Sequence, residues 1–452
     1  MHQTGSENWP SMSAEQVPSV PSGPILYTSY NTDVLGRRTD DLFSRRSRRV
    51  LLLYVGGTIG MARSPAGVLE PCKGYLTQVV RGMGELQRRP EIAPFDIIEY
   101  DELLDSSDMR AHDYLRIAKD VARHHDEYDG FLVLHGTDTM HYTASALSFL
   151  LMNLAKPVIM TGSMVPFFEP YTDARRNMVI GLMLASNPTI REVCIFFNDC
   201  LLRGNCCTKL HHTFGAFCTP NCPPLGVVES TGFHLRKHLL LPQPCGPLRV
   251  LSDMRGNVVV FAMYADCDIK QLLQQLLGGE PHAPTPPATQ EEIPTKNAEE
   301  QDGCGTRHDD AKQKDAAAAV GSCDQGRKSD TTITNPQPRK LIDAVLLEIS
   351  GVGSTDSDVS LALRELAKVA KANDIVLCVT TLEPHGTLSS AEIGRLHKIS
   401  PDLIYLYMTT AAAEMKLIYL FGKGLSPDTV RKMMPRNLRG ESTPGDSFEA
   451  NM

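Results

Sequence analysis

Thr137 and Asp138 stand where a buried strand gives way to a helix, and that placement is what could turn them to chemistry. Four apolar residues, Phe131 to Leu134, run into His135 and Gly136; Thr137, Asp138 and Thr139 then open a run with apolar positions at Met140, Ala144, Leu147, Leu150 and Leu151. The pattern predicts a strand, a glycine turn and a helix opening on hydroxyl and carboxylate caps. In parallel α/β sheets the loops at the carboxyl ends of strands carry ligands, and helix N-termini there favour anions. Capping alone would also explain Thr137 and Asp138.

A second loop of the same build favours chemistry. The apolar run Leu51 to Val55 is followed at once by Gly56, Gly57, Thr58, Ile59 and Gly60. Paired glycines let backbone N–H groups approach a ligand and leave Thr58 as the one polar side chain. Neither a G-x-x-x-x-G-K-[ST] pattern nor a full G-x-G-x-x-G is present, so phosphate cradling lacks its signature. A hydroxyl on a glycine turn beside N–H donors suits a nucleophile with an oxyanion hole. Two threonine-bearing loops therefore point to acyl transfer more than to nucleotide binding.

The elements that must position these loops follow from the rest of the chain. With 452 residues and 42% hydrophobic content, two domain cores can be buried. A net charge of −8 and a pI near 6.0 give no bulk attraction to nucleic acid. No apolar run has transmembrane length and no signal pattern opens the sequence, so no membrane partner is expected. Twelve cysteines in so long a chain are too sparse for a disulfide scaffold. They fit a reducing compartment, and a cytoplasmic location is the expectation.

Residues 1–48 are rich in Ser, Pro, Gly, Thr and Arg and read as a mobile tail. The run Arg45 to Arg49 could be a nuclear address or simply solvate the entry to the first strand. A weak helical run from Val79 to Leu86 and a short strand from Phe95 to Tyr100 come next, then Asp105, Ser106, Ser107, Asp108 and Met109. Helical spacing covers Tyr114 to His124. Val158 to Met160 with Thr161, Gly162 and Ser163 repeats the strand-then-glycine theme; Asp173 can cap a helix through about Ala185, and Val193 to Phe197 is a further strand. This alternation predicts a parallel sheet covered on both faces.

From about Gly215 to Pro247 the chain turns Pro- and Cys-rich and irregular, which places a domain boundary there. Val258 to Met263 reads as a strand and Ile269 to Leu277 as a helix. Residues 279–338 lack Phe, Trp and Tyr and read as a disordered insertion. Regular pattern resumes with a strand from Ala344 to Ile349, the Gly351 to Gly353 turn, a helix over about 358–372, and a strand from Ile375 to Val379. The expected fold class is α/β: a larger N-terminal parallel-sheet domain of flavodoxin or Rossmann-like build over 49–235, and a smaller C-terminal α/β domain over 236–446 that the insertion interrupts.

The glycine–threonine loop 56–60, the Asp105 to Met109 run, the 135–139 loop and the pair Thr208 and Lys209 occur in that order. Together they resemble the bacterial-type L-asparaginase family, in particular its type I, cytosolic branch and that branch's animal members. The run Asn437 to Glu441 followed by Thr443 and Pro444 is typical of the same branch. The likeness covers roughly residues 50–276 well and 341–446 loosely.

By that resemblance Thr58 is the nucleophile, and Thr137 with Lys209 assists proton transfer. A hydroxyl needs such help because its own pKa lies far above neutral. Asp138 would grip the substrate α-ammonium, Ser106 would meet the α-carboxylate, and Ser107 would line the same pocket. The resemblance implies hydrolysis of the side-chain amide of L-asparagine to L-aspartate and ammonia through an acyl-enzyme, without metal or cofactor, in a homodimer or homotetramer. Alternatives that keep the fold are a glutaminase or related amidase, a lysophospholipase-like hydrolase, or a non-catalytic amino-acid-binding protein.

Taken singly, Lys209 reads as a surface lysine, Ser106 as a turn residue, and His135 as a structural hydrogen-bonding group. Cys194, Cys200, Cys206, Cys207, Cys218 and Cys222 with His211 and His212 contain no C-x-x-C pair, so no metal site is expected.

Three departures from the family pattern stand out. Val68 occupies the flap position where bacterial members carry a Tyr that assists the nucleophile, with Tyr75 as a candidate substitute. Ser354 replaces an Asn that in relatives reaches the neighbouring subunit's active site. Glu348 and Leu382 replace an Arg and a Cys of the bacterial allosteric asparagine site, which predicts that asparagine does not activate there.

Overall fold

A computed structural model describes residues 48–263, 342–352, 354 and 357–442. All the elements below belong to one compact unit of the chain. The predicted helix at Ile269 to Leu277, the predicted insertion 279–338 and the predicted tail up to residue 47 lie outside the described residues.

The central element is the fully buried strand β1 (Val50–Gly56). Its side chains alternate between two cores, as a strand's two-residue period requires. Leu51, Leu53 and Val55 join one, while Val50, Leu52 and Tyr54 join the other. β1 lies between β2 (Phe95–Leu104) and β3 (Gly130–Leu134), parallel to both. The parallel run continues through β4 (Val158–Thr161) to β5 (Val193–Phe197). A stretch apolar on both faces is what a strand under helices on two sides needs.

Helix α1 (Tyr75–Gly82) and the short α2 (Gly84–Arg88) follow β1, where the sequence predicts one weak helical run. Leu76 and Val80 of α1 pack into the Val50 core beside Met178 and Leu182 of α5 (Ala174–Ala185). The opposite core receives Ile117 and Val121 of α3 (Ala111–Arg123) and Met140 and Leu147 of α4 (Met140–Leu150).

Beyond β5 the sheet departs from the parallel expectation. β6 (Cys200–Arg203), β7 (Gly226–Glu229) and β8 (Gly232–Leu235) extend its edge antiparallel. Only Asn198 and Asp199, both at positive φ, separate β5 from β6, and a two-residue link can return a strand only antiparallel. The same holds for Ser230 and Thr231 between β7 and β8, so part of the stretch predicted to be irregular is a hairpin of the large sheet.

The smaller sheet is parallel throughout: β9 (Val258–Met263), β10 (Ala344–Ile349), β11 (Val376–Thr381) and β12 (Ile404–Tyr405). α6 (Asp358–Ala372), α7 (Ser390–Ile399), α8 (Thr410–Gly422) and α9 (Pro427–Met433) complete this part. α4 is buried along nearly its whole length, pressed between the large sheet and α8, where Phe149 stacks on Tyr419 at 5.6 Å. Burying each large apolar side chain contributes about 1.5–3 kcal/mol, so the α4–α8 contact ties the two sheets into one body.

Candidate active site

Three loops at the carboxyl ends of β1, β2 and β3 interlock through glycine. Gly56 and Gly57 leave β1 at φ 141° and 96°, a region that side chains disfavour. A β-carbon on Gly57 would lie 2.4 Å from the backbone of Gly136, and one on Gly136 would lie 2.5 Å from Ser106 Oγ. The Thr58 and Thr137 loops therefore touch backbone to backbone, the Ser106 side chain packs against Gly136, and larger residues at these glycines would force the loops apart.

Thr137 and Asp138 do not cap a helix, contrary to expectation. α4 starts at Met140, and its N-cap residue Thr139 makes no capping bond. The Thr139 hydroxyl instead donates to the Ser106 carbonyl. That bond anchors the loop and leaves the two preceding side chains for other partners. Lys209 Nζ donates to Thr137 Oγ1 at 3.0 Å and to Asp138 Oδ1 at 2.7 Å. Thr137 is buried, and the Lys209 side chain is only 9% exposed against 54% for Asp138. The Lys209 hydrogen bond holds the Asp138 carboxyl below the usual carboxylate range, against a smaller opposing effect of burial.

The two serines differ in placement. Ser106 is buried, and its Oγ accepts from the Asp138 N–H at 3.2 Å. Ser107 is exposed and donates to Asp138 Oδ2 at 3.4 Å. His135 behind them is fully buried and its pKa is pushed down to about 4 by that burial. Its Nδ1 meets the Gly136 carbonyl at 2.6 Å, an atom that can only accept, so Nδ1 carries the proton and Nε2 accepts from Thr143 Oγ1 at 2.9 Å. His135 is a neutral strut for the loop.

Lys209 is delivered from far along the chain, and the run from Asn437 to Glu441 fixes its approach. The Gly440 carbonyl accepts from Arg203 at 3.4 Å and Cys206 Sγ at 3.2 Å, and the Arg439 carbonyl accepts from Asn205 at 3.0 Å. Glu441 folds the run back by accepting from the Leu438 and Arg439 amides, and it meets Lys416 Nζ at 2.6 Å with both side chains fully buried. Removing one partner of such a pair would strand a charge in the core.

A family model described as "Asparaginase, N-terminal" matches residues 49–240. L-asparaginase 1 of Escherichia coli K12 is 34% identical over 403 residues, covering 89% of this chain and all of that protein. The chain belongs to the asparaginase family. A solved structure titled L-asparaginase I from Vibrio cholerae superposes with a TM-score of 0.66 at 31% identity, covering 88% of this chain and 99% of the other. A human protein named 60 kDa lysophospholipase is 31% identical over 420 residues, 88% of this chain and 62% of its own length. The α/β architecture with a large and a smaller sheet is the asparaginase fold.

Within that fold, residues 61–63 and 69–71 form a hairpin, and Val68, 57% exposed, follows its turn and accepts from the Ser64 amide at 2.8 Å. Arg63 ties the hairpin to the loop after β4 by a 2.8 Å ion pair with Glu169, and its guanidinium lies over the Phe168 ring. Asp173, predicted as a cap for α5, stands at the N-cap position but takes the amides of Met164 and Val165 instead. It thereby shapes that same loop.

Ser163 ends a third strand-then-glycine turn and carries no role in the sequence pattern. Its hydroxyl is buried and without a partner among the described residues, and the Gly162 before it packs against the His135 carbonyl. The signal was the third strand–glycine–hydroxyl turn.

Proposed function

We propose that this chain is an L-asparagine amidohydrolase that releases L-aspartate and ammonia. The observation that carries the reading is Lys209, donating at once to Thr137 Oγ1 and Asp138 Oδ1 on the loop that abuts the Thr58 loop. The side-chain carbon of asparagine would lie against Thr58, its α-ammonium on the open side of the Asp138 carboxylate, and its α-carboxylate toward Ser106 and Ser107. The Thr58 oxygen adds to the amide carbon and its proton passes through the Thr137–Lys209 pair to the departing nitrogen. The C–N bond breaks and ammonia leaves an ester on Thr58. Water then adds to that ester, and its proton returns to the Thr58 oxygen. No metal or cofactor enters the scheme. The working form is a homodimer or homotetramer of the cytoplasm.

Ammonia release tests the assignment, measured with asparagine, with glutamine, and with a lysophospholipid in a parallel fatty-acid assay. Asparagine should be the preferred substrate, and Thr58→Ala should lower turnover by ~10²-fold or more. Near wild-type turnover in Thr58→Ala would remove Thr58 from the mechanism. Fatty-acid release without ammonia release would move the chain to the lysophospholipase reading.

A further inference from the structure

Away from Thr58, a cavity of about 340 Å³ opens between the start of β5, the end of β6, the turn after α4 and the Asn437 to Gly440 run. Its charged lining is three guanidiniums, Arg191, Arg203 and Arg439, against one carboxylate, Glu192. Glu192 is already spent. One oxygen takes Arg203 Nε at 2.6 Å, while the other takes the Leu241 amide at 2.9 Å and Arg203 again at 3.5 Å. Two positive charges, on Arg191 and Arg439, are left without a counter-charge among the described residues.

Arg439 supplies an independent observation. Its Nε is buried from solvent with no hydrogen-bond partner, and its NH1 reaches only the carbonyl of the preceding Leu438, at 2.7 Å. A buried charged donor without an acceptor is strongly disfavoured, and native proteins fill such positions with a water, an ion or a ligand. Arg191 is half-buried and makes no hydrogen bond or ion pair among the described residues. Two guanidinium forks lining one cavity offer the planar, paired donors that bind phosphate oxygens. The volume falls in the ~300–1,000 Å³ range of small-ligand sites.

We propose that this cavity is a binding site for a small phosphate dianion, either inorganic phosphate or the phosphate group of a monoester, held by Arg191 and Arg439. The site is distinct from the asparagine pocket and does not depend on the catalytic reading. An anion there would also brace the Asn437 to Glu441 run, whose carbonyls hold Arg203, Asn205 and Cys206 on the approach to Lys209.

Isothermal titration calorimetry of the full chain tests it, with sodium phosphate and with glycerol 3-phosphate at ionic strength held constant by chloride. Phosphate should bind saturably at millimolar concentration or below, at one site per chain. Arg191→Gln and Arg439→Gln should each weaken it by about tenfold or more, the loss of one charge-assisted hydrogen bond. Glycerol 3-phosphate binding as well would assign the site to a monoester, and phosphate alone would assign it to the free ion. No saturable heat, or an affinity in both variants unchanged from wild type, overturns the proposal. Arg191 has no bond to lose among the described residues, so Arg191→Gln decides the matter even if Arg439→Gln does not fold. Sedimentation velocity is run in parallel. If the guanidiniums pair instead with a second copy, the variants will change the oligomer and phosphate will not bind, which also overturns it.

Discussion

Lys209 and Asp138 meet at 2.7 Å with opposite exposures, 9% for the lysine side chain and 54% for the aspartate. One ammonium therefore faces inward to Thr137 while the carboxylate it anchors keeps an open side. In the proposed reaction this arrangement divides labour: Lys209 would bear on proton movement at Thr137, and Asp138 on a cation arriving from solvent.

Substitution should separate the two roles. Lys209→Met should lower kcat by ~10²-fold or more, because the Thr137 hydroxyl loses its donor. Asp138→Asn should act mainly on KM, because an amide cannot offset the α-ammonium charge. The Lys209 hydrogen bond depresses the Asp138 carboxyl below its ordinary value of 3.8. The carboxylate then stays charged as pH falls toward that value, and the grip is lost only as pH passes below it. KM measured from pH 7 down to pH 5 should show no rise traceable to Asp138, judged against the Asn variant. Equal effects of both substitutions on kcat alone would sink the division.

Local chemistry explains which parts of this site could be read in the chain. The loops at Thr58, Ser106 and Thr137 each combine a short apolar run, a turn and a hydroxyl within a few residues, so their placement at strand ends follows from neighbours. The capping role expected of Thr137 and Asp138 fails because Thr139 donates to Ser106, a partner 33 residues away. The arrival of Lys209, 72 residues beyond Thr137, rests on carbonyls of Arg439 and Gly440 that no window of sequence contains. The β7–β8 hairpin was hidden for another reason: the prolines and cysteines around it read as loop. Burial of Ser163 and the facing of Glu348 and Glu414 are tertiary events without a local signature.

Glu414 provides a stability test. Burial, reinforced by the Glu348 charge, pushes its pKa from 4.5 to about 7. Tyr114 and Tyr142 also face it. Between pH ~4.5 and ~7 the folded chain holds a proton on Glu414 that the unfolded chain has lost, so stability falls as pH rises through that window. The penalty above pH 7 has an upper bound on the order of 3 kcal/mol, since each pKa unit corresponds to about 1.4 kcal/mol. Glu414→Gln should raise Tm at pH 8 and flatten the decline from pH 5 to pH 8. Parallel melting profiles for wild type and variant would show that Glu414 ionises freely.

Glu348 carries the last prediction, that asparagine saturation is hyperbolic. Its carboxylate accepts from Thr410 and lines a cavity of about 220 Å³ with Thr380, Leu382, Glu383 and Thr409. Bacterial type I relatives are expected to bind an activating asparagine with a cation and a thiol at the positions of Glu348 and Leu382. Here the α-carboxylate of a second asparagine would meet Glu348, with Glu383 also lining the cavity and Glu414 close enough to feel the Glu348 charge. Like charges repel, whereas the α-ammonium alone would be welcome. The amino acid carries both, so its carboxylate lacks a partner. We expect initial rates against asparagine to fit a Hill coefficient of about 1, as independent sites require. A sigmoidal curve in wild type that becomes hyperbolic in Glu348→Gln would reverse the argument, since it would make the carboxylate part of an activating site. Wild-type and Glu348→Gln curves that share one hyperbolic shape are the outcome this geometry predicts.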